Sequence, residues 1–290
     1  MHSSNPVFAR SDTFNGRGTS AATGYGSATR ADPSTWAVGS PGQPGQPGQP
    51  GTVAPPDAGR ITIDSVVQKT AATLGLLVLA AAVTWVVIGD ITAPSDAEAE
   101  SAMAKAQTFA LIGVFGGFAL SMVNSFKRVV SPPLVLAYAV LQGMAIGAIS
   151  LIFETMYPGV VMGAVIGTVA AFAGTLTAYK VLNIKVTNKF RRGVVAAMFG
   201  FVGLALHDLV LSFFGADFGF NGFGTFGLIT SIVGVVLGVL MLILDFDYVE
   251  KAIAAGAPER ESWRAAFGLT VTIVWLYIEM LRILAILRGD

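Results

Sequence analysis

The chain of 290 residues contains no cysteine and only two histidines, His2 and His207, which lie far apart. Without cysteine there is no disulfide framework, no thiolate metal site and no cysteine nucleophile. A zinc hydrolase within a membrane would need paired histidines at short spacing, and that pattern is also missing. The sequence therefore predicts no metal site, no cofactor and no nucleophile–base arrangement of the kind that an enzyme needs.

Charged residues are scarce as well. They make up 12% of the chain, whereas soluble domains contain about 25%. The formal net charge is zero, which gives no indication of nucleic-acid binding. Hydrophobic residues make up 53%, and the mean hydropathy is +0.68. This composition indicates an integral membrane protein whose main surroundings are the lipid bilayer.

Seven apolar stretches, each about 20 residues long, fill the sequence from residue 70 to residue 287. A helix of about 20 apolar residues crosses the hydrocarbon core of a bilayer, and only helices satisfy every backbone group of a single span there. We therefore predict an all-α protein with seven transmembrane helices in a compact bundle. The predicted spans are Thr70–Gly89, Thr108–Ser125, Leu134–Phe153, Val160–Ala178, Val194–Phe214, Phe226–Leu244 and Ala265–Leu287.

Residues 1–60 differ from the rest because Gly, Ser, Thr, Pro and Ala dominate them, and residues 41–51 read PGQPGQPGQPG. So few repeats cannot hold a collagen triple helix. We predict a disordered cytoplasmic tail over residues 1–60 and a transmembrane domain over residues 61–290.

Lys and Arg concentrate in alternate loops, most of all in the loop after the fourth span. By the positive-inside rule this places the N-terminus in the cytoplasm of a multi-pass cell-membrane protein. Arg282 and Arg288, near the opposite end of the last span, go against the rule. The basic residues of the loop after the fourth span are Lys180, Lys185, Lys189, Arg191 and Arg192.

Glycines recur four residues apart in several spans. This spacing lets helix backbones approach closely in lipid. It predicts close packing within one bundle, and the interface of a homodimer would carry the same pattern. The pairs are Gly113 with Gly117, Gly143 with Gly147, Gly163 with Gly167, and Gly234 with Gly238.

Charged or polar groups inside the spans are costly and need an explanation. Asp245 and Asp247 end the sixth span and point about 200° apart on a helix. Asp245 shares a face with Gly234 and Gly238, so it belongs either to the packed side of the bundle or to the helix end at the membrane surface. Asp247 would then reach the cytoplasmic surface.

Three further polar groups stand out in the fifth and seventh spans. His207 and Asp208 are neighbours that point about 100° apart. His207 could sense pH, or it could donate a hydrogen bond to a backbone carbonyl. Glu279 lies two turns after Thr272 on the same face, and Arg282 is placed to pair with it within the helix.

The sixth span ends in ILDFDYVEK, which a short basic loop joins to the seventh helix AAFGLTVTIVWLYIEMLRIL. The third span contains YAVLQGMAIGAIS. These segments resemble the Bax inhibitor family, in its bacterial branch, and the third-span segment is similar to that family's pattern of Tyr, an acidic residue and two glycines. The resemblance covers about residues 60 to 288 and implies six helices around a central seventh.

The resemblance implies a function as well. Better understood members of the family behave as pH-sensitive calcium leak pathways, in which two carboxylates in the sixth and seventh helices share a proton. Asp245 matches the first carboxylate, but Thr272 stands at the position of the second. Gln142 replaces the acidic residue of the third helix.

The sequence thus predicts a pH-modulated passive path for calcium, with Asp245, Thr272, Glu279, Asp247 and Gln142 as its gate and lining. The alternative is a non-conducting regulator or scaffold that binds a membrane protein partner, such as a quality-control protease.

Overall fold

A computed structural model describes residues 59–212, 214–215, 219–220 and 222–289. Within these residues the chain forms seven helices and no strand, which confirms the predicted fold class. All seven are long and apolar enough to span a membrane. They are α1 (Ile63–Ile88), α2 (Asp96–Phe126), α3 (Pro132–Met156), α4 (Val160–Val181), α5 (Asn188–Ser212), α6 (Thr225–Ala254) and α7 (Glu261–Gly289).

Local sequence signals explain where the helices begin and end. Thr62 and Ser65 form a reciprocal capping box at the start of α1. Gly89 ends α1 with a φ of +84°, a conformation that glycine adopts without strain, so the first predicted span ran one residue too far. Pro132 occupies the first turn of α3, where its missing N–H costs nothing. Most helices extend beyond the predicted apolar spans because their ends continue into polar residues.

Burial separates central helices from peripheral ones. In the most apolar windows of α3, α6 and α7, 50–56% of residues are buried inside the protein, against 17–22% for the other four helices. The backbone of α7 packs against α1, α3, α4 and α6, whereas α2 packs on α1 and α3, and α5 packs on α6. The seventh helix is therefore central: four helices approach its backbone closely, and α5 reaches it through the ring contact of Phe201 with Trp275, whose centroids lie 5.4 Å apart.

The predicted glycine pairs lie at helix contacts within the chain. Gly143 and Gly147 of α3 face the backbone of Leu77 and Ala81 in α1, so closely that an added methyl group would collide with carbonyl oxygens. The other three pairs also face neighbouring helices: the α2 pair meets α3, and the α4 and α6 pairs meet side chains of α7. Close packing inside one bundle thus accounts for the pattern.

A short backbone pairing fastens the start of the transmembrane domain to the connection between α6 and α7. The Ile61 N–H donates to the Ala257 carbonyl at 2.9 Å, and the Glu259 N–H donates to the Gly59 carbonyl at 2.8 Å. Lys69 of α1 forms an ion pair with Glu259 at 2.9 Å. Residue 59 is therefore already part of the folded domain, while the prediction for residues 1–58 lies outside the described residues.

Candidate functional site

Asp245 and Thr272 meet where α6 and α7 approach each other near the α6–α7 connection. The Thr272 hydroxyl donates to Asp245 Oδ2 at 2.7 Å, and the Gly268 carbonyl lies 3.2 Å from the same hydroxyl. Thr272 is buried and Asp245 is half-buried. Gly268 lies next to the carboxyl group, since a methyl group there would be in ordinary van der Waals contact with Asp245 Oδ1, at 3.4 Å. Of the two positions left open by the sequence, Asp245 takes the packed side of the bundle.

A cleft of about 320 Å³ opens beside this pair. Asn124 lines it, and although Asn124 is only 9% exposed, neither its amide oxygen nor its amide nitrogen has a hydrogen-bond partner among the described residues. The cleft therefore contains a carboxyl group and a side-chain amide that has no hydrogen-bond partner among the described residues. Its lining residues are Asn124 and Ser125 of α2, Asp245 and Tyr248 of α6, and Arg264, Ala265, Phe267 and Gly268 of α7.

Polar contacts at the rim of the cleft tie three helices together. The Tyr248 hydroxyl donates to Glu261 Oε2 at 3.1 Å, and Arg264 Nε lies 3.2 Å from the same oxygen. Arg264 also donates to the Arg128 carbonyl, just after α2, at 2.8 Å. Arg264 is the charged side chain that shares the cleft with Asp245.

Asp247 lies in a different environment from Asp245. Its carboxylate is buried and bound by two cations, Arg191 of α5 at 2.6 Å and Lys251 of α6 at 2.7 Å. Both cations are about half-exposed. The two aspartates point apart as the helix spacing predicts, but Asp247 joins α5 to α6 rather than extending freely to the surface.

Glu279 and Arg282 form the pair that their spacing predicts, in the half of α7 beyond Thr272. Arg282 Nη1 lies 4.0 Å from Glu279 Oε2, and both side chains are mostly buried. Arg282 also donates to the carbonyls of Phe220 and Gly222 in the segment between α5 and α6. Glu279 packs directly on Gly234, so α6 could not approach α7 here with a larger residue at position 234.

The remaining predicted residues lie elsewhere. His207 is exposed on α5, whereas its neighbour Asp208 is buried at 4% and acts electrostatically on Arg282. The side-chain oxygen of Gln142 lies against Gly117, in the contact between α3 and α2. The structure thus brings Asp245 together with Thr272, and Arg282 together with Glu279 and Asp208, but it places Gln142 against α2.

Asn124 is the residue that the sequence analysis missed. It follows the apolar second half of α2, two residues before the helix ends, and a polar residue in that place is equally well explained by exposure at the membrane surface. Among the described residues, no group of three or more His, Asp or Glu side chains could hold a metal ion.

A family model shows the relationship that the sixth and seventh helices suggest. The model of the Bax inhibitor 1 like family matches residues 5–289. The chain belongs to this family. Among curated proteins, none matches the chain closely enough to count as a relative. Family membership and the seven apolar helices together make it a multi-pass membrane protein of Bax inhibitor type.

Proposed function

We propose that this Bax inhibitor 1 like protein is a passive, pH-modulated path for cations, with calcium as the ion and Asp245 as the group that closes it. The observation that carries the proposal is the hydrogen bond of 2.7 Å between Thr272 and Asp245, at a cleft between α6 and α7. The resemblance to the family implies that, in better understood relatives, two carboxylates at the positions of Asp245 and Thr272 share a proton.

The proposed closed state holds Asp245 protonated. A neutral carboxyl group can remain between packed helices, whereas a charge there must be compensated by water, a cation or a partner. Loss of the proton therefore favours separation of α6 from α7 and entry of a cation. The other charged or titratable groups that line the cleft are Arg264 and Tyr248, and both are engaged with Glu261.

The cleft offers oxygen ligands of the kind that calcium prefers. Asp245 supplies a carboxylate, and Asn124 supplies an amide oxygen that has no partner among the described residues. A passing ion needs sites that bind weakly enough to release it. One carboxylate and one amide meet that condition better than a full cage of carboxylates would.

The alternative function is that of a membrane regulator or scaffold that conducts nothing and binds a protein partner, such as a quality-control protease. One observation favours it. Thr272 cannot share a proton with Asp245 as a second carboxylate would, so this chain lacks half of the coupled pair that the resemblance implies.

Calcium uptake by liposomes that contain only the purified protein separates the two functions. The leak proposal expects uptake above that of protein-free liposomes without any added partner. Uptake no greater than that of protein-free liposomes would favour the scaffold.

We also propose that the protein lies in the cell membrane with its N-terminus in the cytoplasm, because the basic loops require it under the positive-inside rule. Single cysteines at the exposed positions Glu98 and Lys185 can test this in a chain without native cysteine. An impermeant thiol reagent added outside cells should label position 98 and not position 185. The reverse labelling would contradict the orientation.

A further inference from the structure

The connection between α4 and α5 carries a concentrated positive surface. Four of its basic side chains are exposed, and among the described residues none of the four forms an ion pair with a carboxylate. The sequence contains no Asp or Glu between Glu154 and Asp208, and the carboxylates that α6 brings to this connection bind other groups: Asp247 binds Arg191 and Lys251, and Glu250 accepts from Tyr179. We call this surface the basic patch; it consists of Lys180, Lys185, Lys189 and Arg192.

Arg191, in the middle of this sequence, behaves differently. It binds the buried Asp247 at 2.6 Å and so has a structural role between α5 and α6. Arg191 shows that a basic residue in this part of the chain can have a structural contact. The four residues of the basic patch serve no such contact.

Helix electrostatics do not explain the basic patch either. Lys180 lies in the last turn of α4, where a cation is favourable. Lys189 and Arg192, however, lie within the first five residues of α5, and the first turn of that helix contains no acidic residue. Cations at a helix N-terminus oppose the helix dipole. Their presence therefore costs some helix stability and calls for a partner outside the chain.

The surroundings of the basic patch indicate what that partner is. Val181 and Leu182 stand beside Lys180 and are 71% and 69% exposed, at the end of a helix that spans the membrane. Exposed apolar side chains next to unpaired cations are typical of a surface at the boundary between acyl chains and headgroups.

We propose that the basic patch binds the phosphate-bearing headgroups of anionic phospholipids, with Val181 and Leu182 against the acyl chains. This goes beyond the proposed ion path and holds whether or not the protein conducts. The positive-inside rule requires only that basic residues lie on one side of the membrane. The proposal adds a direct, measurable affinity for anionic lipid at this place.

The test is a titration of the purified full-length protein in detergent micelles with phosphatidylglycerol, using the rise in melting temperature to obtain an apparent affinity. Phosphatidylcholine serves as the neutral lipid. The patch variant combines Lys185→Gln, Lys189→Gln and Arg192→Gln. Since each basic residue near an anionic surface contributes about 1 kcal/mol, the affinity should fall roughly 100-fold.

A matched control removes the same charge from three separate places, by combining Lys105→Gln, Lys127→Gln and Arg288→Gln. Its affinity for phosphatidylglycerol should stay within about threefold of wild type. A second variant, Lys185→Arg with Lys189→Arg, keeps the charge and should retain the affinity. It also shows whether a loss in the Gln variant comes from charge or from damage to the fold.

Three results would overturn the proposal. The first is equal stabilisation of the wild-type protein by phosphatidylglycerol and phosphatidylcholine. The second is an equal loss of affinity in the patch variant and the matched control, which would mean that only net charge matters. The third is equal stabilisation by soluble inorganic phosphate at the same concentration, which would mean that the patch binds free phosphate rather than lipid.

Discussion

Asp245→Asn is expected to give a calcium flux that stays at the closed level from pH 6 to pH 8. Asparagine mimics the protonated carboxyl group, and its amide oxygen can still accept the hydrogen bond that Thr272 now donates at 2.7 Å. In the wild-type protein, flux should rise with pH as Asp245 loses its proton, by up to about tenfold per pH unit for a single titrating group. Flux into liposomes loaded with a calcium-sensitive dye measures both proteins.

Two companion variants sharpen this experiment. Glu250→Gln makes the same change of charge at an exposed site on the same helix and should leave the pH response intact. Thr272→Asp rebuilds a pair of carboxyl groups that hold one proton between them, so the pH midpoint of the flux should move upward. If Asp245→Asn retains a normal pH response, Asp245 is not the gate, and the buried pair Glu279–Arg282 becomes the next candidate.

Arg282→Met is expected to destabilise the protein by about 3–5 kcal/mol. The substitution leaves Glu279 buried without its cation, and removing one partner of a buried ion pair costs about this much. It also removes the donor to the carbonyls of Phe220 and Gly222. Reversible unfolding in mixed micelles, followed by circular dichroism, provides the free energy of unfolding.

The double variant Glu279→Met with Arg282→Met tests whether the loss of stability comes from the unpaired charge of Glu279. It removes both charges, so it should recover at least half of the stability that the single Arg282→Met variant loses. Arg288→Met, on the exposed end of the same helix, is the matched control and should lower the free energy of unfolding by less than about 1 kcal/mol, the contribution of a cation in the last turn of a helix. If Arg282→Met and Arg288→Met are equally stable, the pair does not hold the half of α7 beyond Thr272 in place.

The fold could be predicted from the sequence because its signals are local. Long apolar stretches fix the number of helices, since a bilayer accepts few other structures. The glycine pairs predicted which faces pack, because a missing side chain can be read directly from the sequence. Within the site, the two-residue spacing of Asp245 and Asp247 on α6 correctly predicted that the two side chains lie in different surroundings.

Contacts between distant segments could not be predicted in the same way. Asn124 and Asp245 line the same cleft because the end of α2 lies against α6 and α7, and nothing in the sequence around Asn124 specifies that arrangement. The same is true of Asp208 and Arg282, whose proximity depends on how α5 packs on α6. Gln142, which the resemblance assigns to the ion path, has its side-chain oxygen against Gly117 of α2, a contact that the sequence does not predict.

The central claim, that Asp245 closes a cation path, is tested most directly by a pH step on one preparation of liposomes that contain the wild-type protein. Calcium uptake is recorded at pH 6, then at pH 8, then again at pH 6, with protein-free liposomes treated in the same way. We expect slow uptake at pH 6, faster uptake at pH 8 and a return to the slow rate afterwards. Uptake equal to that of protein-free liposomes at both pH values would contradict the ion path and favour the scaffold.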